Sequence, residues 1–193
     1  MDLFRYERMV IAYHGCDRKV RDQVLAGNAA LKASENDYDW LGRGIYFWEY
    51  GYERAREWAE EQKRRKRLEE PAVLGAILHL GNCFDLLDVQ YTGILADAYP
   101  RFSRALRAYG IQLPENAPLR PDDEDFLLRR GDCAVVNWAV KESEMDTLRT
   151  YHSVRGLFQE GETAFPGSSI KRKSHIQIAV RDTTCILGYF LPR

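Results

Sequence analysis

The stretch Leu41-Gly42-Arg43-Gly44-Ile45-Tyr46-Phe47-Trp48 decides how the rest of the chain is read. Two glycines permit a tight turn, and the β-branched and aromatic residues behind them suit a pleated, half-buried surface, so a loop here feeds a strand. Tyr46 heads that strand, either as a floor for a flat ligand or as a core aromatic behind a turn. Upstream, Met9-Val10-Ile11-Ala12-Tyr13 is a second apolar, β-prone run, read as a strand ending just before His14-Gly15. An imidazole at a strand end, beside a residue with no Cβ, lets a ligand approach the backbone while a ring nitrogen donates or accepts a bond. Taken singly, each is also an ordinary structural residue.

Outward from these strands, Arg18 to Ala26 reads as a short helix stopped by Gly27-Asn28. Asn36-Asp37-Tyr38-Asp39 is polar loop. Tyr52 to Glu70 has helical composition, with Ala55, Trp58, Ala59 and Gln62 on its inner face. Ala72 to Phe84 returns to strand, broken at Gly81-Asn82. Further on, Arg101 to Tyr109 and Ala134 to Met145 look helical, with Pro114 to Pro121 a loop. Asp122-Asp123-Glu124-Asp125 is read as a helix start, where acidic groups complement the dipole, rather than a metal site. Thr150 to Phe158 reads as strand, and Gln159 to Lys173 as a Gly/Pro/Ser-rich loop. Ser174 to Val180 and Cys185 to Leu191 are final strands separated by a hairpin-like turn at Arg181-Asp182-Thr183-Thr184. Strands early and late with helices between predict an α+β fold on a largely antiparallel sheet.

Composition bounds the function. A chain of 193 residues, 45% hydrophobic and 12% aromatic, can bury a real core, which excludes disorder. A net charge of −1 provides no global field toward nucleic acid or membrane. No run approaches the length of a membrane span, and Met1 to Arg8 carries acidic charge where a signal peptide needs a basic region, so a soluble, cytoplasmic chain is expected. The 4 cysteines, Cys16, Cys83, Cys133 and Cys185, lack metal-ligand spacing and are read as reduced, buried thiols; no metal is expected.

Taken together, Ala12-Tyr13-His14-Gly15 and Gly42-Arg43-Gly44-Ile45-Tyr46-Phe47, with Ala55 downstream, resemble the first two parts of the His-Tyr-Glu signature of poly(ADP-ribose) polymerase-like ADP-ribosyltransferases, the diphtheria-toxin-type branch. Leu74 to Asn82 is similar to the family strand that ends in a Leu-Gly-Asn turn. His152 to Leu157 resembles the later strand before the loop flanking the substrate. Gln177 to Asp182, with Tyr189-Phe190-Leu191, resembles the closing hairpin. The likeness covers residues 9–86 and 150–191; residues 88–149 have no counterpart and are expected to be a helical insertion within a single domain spanning 1–193.

The resemblance implies an ADP-ribosyltransferase-like fold of antiparallel split sheets, with NAD+ as co-substrate. It implies that His14 bonds the adenosine ribose, that the Gly15 backbone clamps the nicotinamide amide, and that Tyr46 stacks on the nicotinamide ring, sandwiched by Tyr52 or Trp58. Cleaving the nicotinamide–ribose bond develops positive charge on the sugar, which a carboxylate stabilises more in the transition state than in the ground state. Here the chain departs from the family. Gln177 occupies the glutamate slot, with His175 two residues earlier on the same strand face and Glu160 and Glu162 in the preceding loop. Arg54 stands where the polymerases have a small serine. Three readings stay open: an active transferase using Gln177 with His175 or Glu160, a degenerate NAD+-binding module, and an NAD+ glycohydrolase. Without the glutamate, mono-ADP-ribosyl transfer is expected rather than chain elongation.

Two basic runs bear on the acceptor, which is either RNA or protein. Lys63-Arg64-Arg65-Lys66-Arg67 is read as a solvated helix face paired with flanking glutamates. Lys171-Arg172-Lys173 is expected on the acceptor side of the cleft, neutralising phosphates. Compact prokaryotic relatives of this type are toxins of toxin–antitoxin and phage-defence systems. The resemblance therefore implies a neutralising antitoxin partner, with 88–149 as its docking surface.

Overall fold

A computed structural model describes residues 8–121 and 125–193; Met1 to Glu7, read for targeting, and Asp122, Asp123 and Glu124 of the acidic run lie outside them. In chain order the elements are β1 (Met9–Asp17), α1 (Arg18–Leu25), β2 (Ile45–Glu49), α2 (Tyr52–Arg64), β3 (Pro71–His79), β4 (Cys83–Asp85), α3 (Val89–Ala108), β5 (Asn116–Ala117), β6 (Leu128–Arg129), α4 (Arg130–Thr147), β7 (Ser153–Phe158), β8 (His175–Val180) and β9 (Ile186–Phe190). Seven strands form one sheet in the order β4-β7-β8-β2-β1-β3-β9, antiparallel except for the parallel β4–β7 pair. The fold is mixed α and β around this mostly antiparallel sheet.

The sheet is thin at one seam. β1 and β3 pair along nine residues, Met9 with His79 through Asp17 with Pro71, whereas β1 and β2 share only Ala12–Glu49 and Tyr13–Trp48. The strands splay beyond that point, and the sequence expectation that β1 stops before His14 is corrected: β1 runs on through Gly15 to Asp17, held by β3 rather than β2. Asp17 then caps α1 by accepting from the Lys19 N–H, and also accepts from the Glu69 and Glu70 N–H groups.

Period-2 alternation sorts side chains onto the two faces. Val10, Ala12, Leu74, Ala76, Leu78, Phe47, Ile178 and Val180 pack into one buried cluster with Val24 of α1. On the opposite face α2 covers Tyr13, Trp48 and Val73 through Ala55. There α4 lays Val136, Ala139 and Val140 on Leu41, Phe84, Val154 and Ala179, and Ala98 of α3 joins them. Residues 88–149 therefore contribute core contacts to the main sheet and are not an appended body. Glu49, Arg155 and Asp85 form an ion cluster that ties β2 to β7 and the edge strand β4, with buried Arg155 donating from Nη2 to Glu49 Oε1 at 3.1 Å and from Nη1 to Asp85 Oδ2 at 3.0 Å.

Two further expectations are corrected. The helix read over Tyr52–Glu70 ends at Arg64, because Lys66 adopts a left-handed φ of 59° and the chain turns into β3. Of the acidic run only Asp125 is among the described residues; it accepts from the Gly161 N–H at 2.6 Å, and α4 begins at Arg130. β8 and β9 are not a hairpin. Both edges of β8 are already taken by β2 and β7, so Asp182 caps a short 3₁₀ turn and β9 crosses to the far edge beside β3. No helix among the described residues is long and apolar enough to cross a membrane, and Cys16, Cys83, Cys133 and Cys185 are free and buried.

Candidate active site

On the sheet face that α2 covers lies a cleft of about 540 Å³, lined by residues of β1, β2, β8 and α2 and, on another side, by Leu127 to Arg129 ahead of α4. Register sets its floor in rows: Tyr46, Ala179 and Val154 lie abreast, then Trp48, Gln177 and Gly156. His14, Gly15, Tyr46, Trp58, Glu160 and Gln177 all line this one cleft.

At the splayed seam, His14 turns its ring toward β2 and its Nδ1–H donates to the Tyr46 carbonyl oxygen at 2.7 Å. Burial holds the His14 pKa below its ordinary value of 6.5, against the raising effect of that carbonyl. The ring is neutral near pH 7, and with Nδ1 committed as donor, Nε2 is an acceptor. Tyr46 is fixed at its far end: its hydroxyl donates to the Gly42 carbonyl at 2.8 Å and accepts from the Leu41 N–H at 3.0 Å. Burial keeps this phenol well above its usual pKa, so it stays protonated. The loop it ties has Gly42 at φ 76°, where an added Cβ would strike Asn137 Oδ1 at 2.4 Å; that same oxygen accepts from the Arg43 N–H at 3.2 Å. α4 thus buttresses the glycine loop directly.

Gly15 lines the cleft, but its lack of a side chain has a different cause from the one expected. A Cβ there would lie 2.5 Å from the Ala55 carbonyl oxygen, so the glycine admits α2 against β1. α2 presents Arg54, Trp58, Glu61, Gln62 and Arg65 to the cleft, a stripe at helical spacing. Tyr52 lies off that stripe and packs edge-on against Tyr13 at 5.6 Å, which removes it as a ring-sandwiching residue. Trp58 remains, tilted against Trp48 at 5.7 Å. The Trp48 indole N–H is buried without a partner among the described residues.

Gln177 faces the cleft in the second row. Its Oε1 accepts from the Trp40 indole N–H at 2.6 Å, and its amide −NH2 makes no bond among the described residues. Trp40 is a site residue that sequence reasoning missed. It lies over Gly156, where a Cβ would come within 2.5 Å of its ring, and tilts against Phe158 at 5.3 Å. His175 shares the strand face with Gln177 but does not line the cleft. Its Nδ1–H donates to the Lys173 carbonyl at 2.5 Å, its ring tilts against Phe158 and Trp48, and Arg54 lies beside it. Burial first, and the Arg54 charge, lower its pKa to about 4, so it is neutral and shielded rather than poised as an acid.

Glu160 does line the cleft, as a clamped carboxylate. Arg54 Nη2 donates to its Oε2 at 2.9 Å and Lys173 Nζ stands 3.9 Å from Oε1. Arg54 thus grips Glu160 and, at 2.8 Å, Glu57.

The two basic runs pair differently from the sequence expectation. Lys171, Arg172 and Lys173, expected to face an acceptor, pair with Asp125, Glu162 and Glu61 respectively, at 3.8, 3.7 and 3.3 Å. The run 63–67, expected to pair with neighbouring glutamates, forms no ion pair among the described residues, and its Arg65 and Arg67 line the cleft. Arg129 closes another side of the cleft, its guanidinium 4.6 Å from the centre of the Phe158 ring.

Comparison with known proteins adds breadth without a function. An uncharacterized protein of the archaeon Methanocaldococcus jannaschii is 27% identical over 204 residues, an alignment covering 95% of this chain and 87% of that protein. No protein family matches the chain, and no solved structure matches it.

Proposed function

We propose that this chain is an NAD+-dependent mono-ADP-ribosyltransferase with an ADP-ribosyltransferase-like fold, acting on a macromolecular acceptor. The observation that carries the reading is the convergence of His14, Tyr46 and Gln177, drawn from three distant stretches, on one cleft. One feature of the lining suits a dinucleotide: a neutral His14 offers Nε2 as an acceptor for a ribose hydroxyl.

In this reading NAD+ supplies the bond to be broken: the nicotinamide–ribose C–N bond cleaves, nicotinamide leaves with the electron pair, and an acceptor heteroatom bonds to the sugar and loses its proton. The chain's residues bind and orient. Tyr46 and Trp58 provide flat apolar surface, His14 holds a hydroxyl, and the Gln177 −NH2, set by Trp40, donates to the sugar. Glu160 is the one carboxylate among the three catalytic candidates, and it takes the charge-stabilising and proton-accepting role once Arg54 yields part of its grip. His175 is assigned no proton transfer.

The clamp on Glu160 is also the specific observation favouring the second reading, a binding module that holds NAD+ and does not cleave it. A glycohydrolase, passing the sugar to water, is the third. One incubation of the protein with NAD+ labelled in the adenine ring, together with cell lysate and nuclease or protease controls, separates them. Transfer predicts label on a macromolecule, lost in Tyr46→Ala and His14→Ala. Binding without nicotinamide release overturns enzyme function, and release without labelling reassigns the chain as a glycohydrolase. Gln177→Glu is expected to raise nicotinamide release; unchanged release with intact binding would move position 177 away from the sugar. The toxin reading predicts growth arrest on induced expression, abolished by Tyr46→Ala.

A further inference from the structure

We infer that the unpaired cationic run at the end of α2, Lys63 to Arg67, is a phosphate-binding rim that carries a single-stranded nucleic acid acceptor across the mouth of the cleft. This inference rests on the transferase reading above for the word acceptor; the rim itself rests on charge placement. Several arginines and lysines near the cleft are matched by carboxylates: Arg54 by Glu57 and Glu160, Arg129 by Asp132, Arg43 by Glu35, Lys173 by Glu61. The run 63–67 forms no ion pair among the described residues. All five side chains are exposed, and the one hydrogen bond recorded for them, Arg67 to Gln62 Oε1 at 3.4 Å, is to a neutral amide.

Helix electrostatics account for only part of it. Lys63 and Arg64 complement the negative end of α2, but Arg65, Lys66 and Arg67 lie at or beyond the cap. The left-handed Lys66 turns the chain there, so the cations fan around a corner and do not stack along one helix face. Arg65 and Arg67 line the cleft itself, as does the exposed Lys32, which has no recorded partner. Local positive charge gathered at one place on a chain of net charge −1 is the footprint of a phosphate-binding surface rather than of a generally basic protein.

The acceptor's strandedness follows from access. A reacting atom must reach a cleft walled by Trp40, Trp48, Trp58 and Phe158, and a nucleotide stacked in a duplex cannot present its base or sugar there without leaving the stack. An unpaired strand can, while its flanking phosphates lie on the rim, which is how sequence-tolerant single-strand sites are built. The acidic Asp39 and Glu61 in the same lining argue against an acidic peptide seated deep in the cleft.

The test uses the full chain and a fluorescein-labelled single-stranded RNA of mixed sequence, read by anisotropy between 50 and 200 mM salt, beside direct titration with NAD+. The variant is Lys63→Gln/Arg64→Gln/Lys66→Gln, three exposed positions that do not line the cleft. Wild type is expected to bind with affinity falling as salt rises, at roughly 0.7 log units per log of salt for each phosphate contacted. The triple variant is expected to weaken RNA binding at least tenfold at low salt and to lower that slope by about 2, the three lost contacts taken together. Its NAD+ affinity should stay within about twofold of wild type, each tenfold being worth about 1.4 kcal/mol. Salt-independent or absent RNA binding by wild type overturns the inference, as does equal binding by the variant. Loss of NAD+ binding in a folded variant also overturns it, by assigning the run to the dinucleotide. If wild type binds RNA but not NAD+, the rim stands and the transferase reading falls.

Discussion

His14 and Tyr46, from strands that part beyond Tyr13–Trp48, are rejoined by a single bond from the imidazole Nδ1–H to the Tyr46 carbonyl oxygen, 2.7 Å long. In the β1–β2 register the next rungs would be His14 with Phe47 and Gly15 with Tyr46, and neither forms. The ring substitutes for a missing ladder rung while aiming its second nitrogen away from the sheet. Sheet geometry thereby fixes the tautomer that the proposed ribose contact needs.

Acid should destabilise the protein through its two buried imidazoles. Both His175, lowered to about 4, and His14, lowered in the same direction, bind fewer protons folded than unfolded. Stability is therefore fully present above the unfolded value of 6.5 and is lost as pH falls through it toward 4. His175 alone contributes about 3 kcal/mol of this loss at the acid limit. Urea denaturation at pH 7 and pH 4.5 should show a smaller difference in His175→Gln than in wild type, and equal differences would refute the assignment.

Gly156→Ala is expected to push Trp40 off its seat, because the new methyl would come within 2.5 Å of the indole ring. The cost is about 1–3 kcal/mol of stability, with Gln177 losing its partner. Trp40→Phe keeps a smaller aromatic ring and removes the donor, the lost hydrogen bond costing about 1 kcal/mol. On the proposed function, Trp40→Phe should lower ADP-ribosyl transfer more than NAD+ binding. A loss confined to binding would show that Trp40 shapes the pocket and does not orient Gln177.

Arg54 and Glu160 should behave as a coupled unit. Their side chains are only 12% and 14% exposed, so removing either leaves a poorly hydrated charge. Arg54→Ala is expected to cost about 3 kcal/mol, since Lys173 at 3.9 Å replaces only part of the lost interaction. Glu160→Gln should cost less in the Arg54→Ala background than alone, with a coupling energy of about 1–3 kcal/mol in a double-mutant cycle. Additive effects would show that the clamp is absent in solution.

How much of this was legible before the structure depended on the range over which each signal acts. The glycine loop feeding Tyr46, the buried Ala55-Ala59-Gln62 stripe and the mixed, mainly antiparallel architecture are local or periodic features, and they emerge from residue order alone. Tyr52 and Trp40 were misjudged or missed because their roles are set by neighbours far along the chain: Tyr13 for one, Gln177 and Gly156 for the other. Charge runs were the least legible, since flanking glutamates in sequence are not the partners chosen in space; Glu61 pairs with Lys173 and leaves Lys63 bare. α3 extends well upstream of Arg101 because it runs through Pro100, with Ala98 and Phe102 buried on either side. A mid-helix proline costs about 3 kcal/mol, which that packing offsets and which no propensity reading anticipates.

The thin seam between β1 and β2 has a mechanical corollary. Any molecule that engages Nε2 of His14 pulls on a ring whose other nitrogen clasps the two halves of the sheet, so occupancy and stiffness are linked and each must strengthen the other. A loaded cleft is thus expected to slow amide exchange at Phe47 and Gly15 and to leave the rest of the long β1–β3 ladder unchanged.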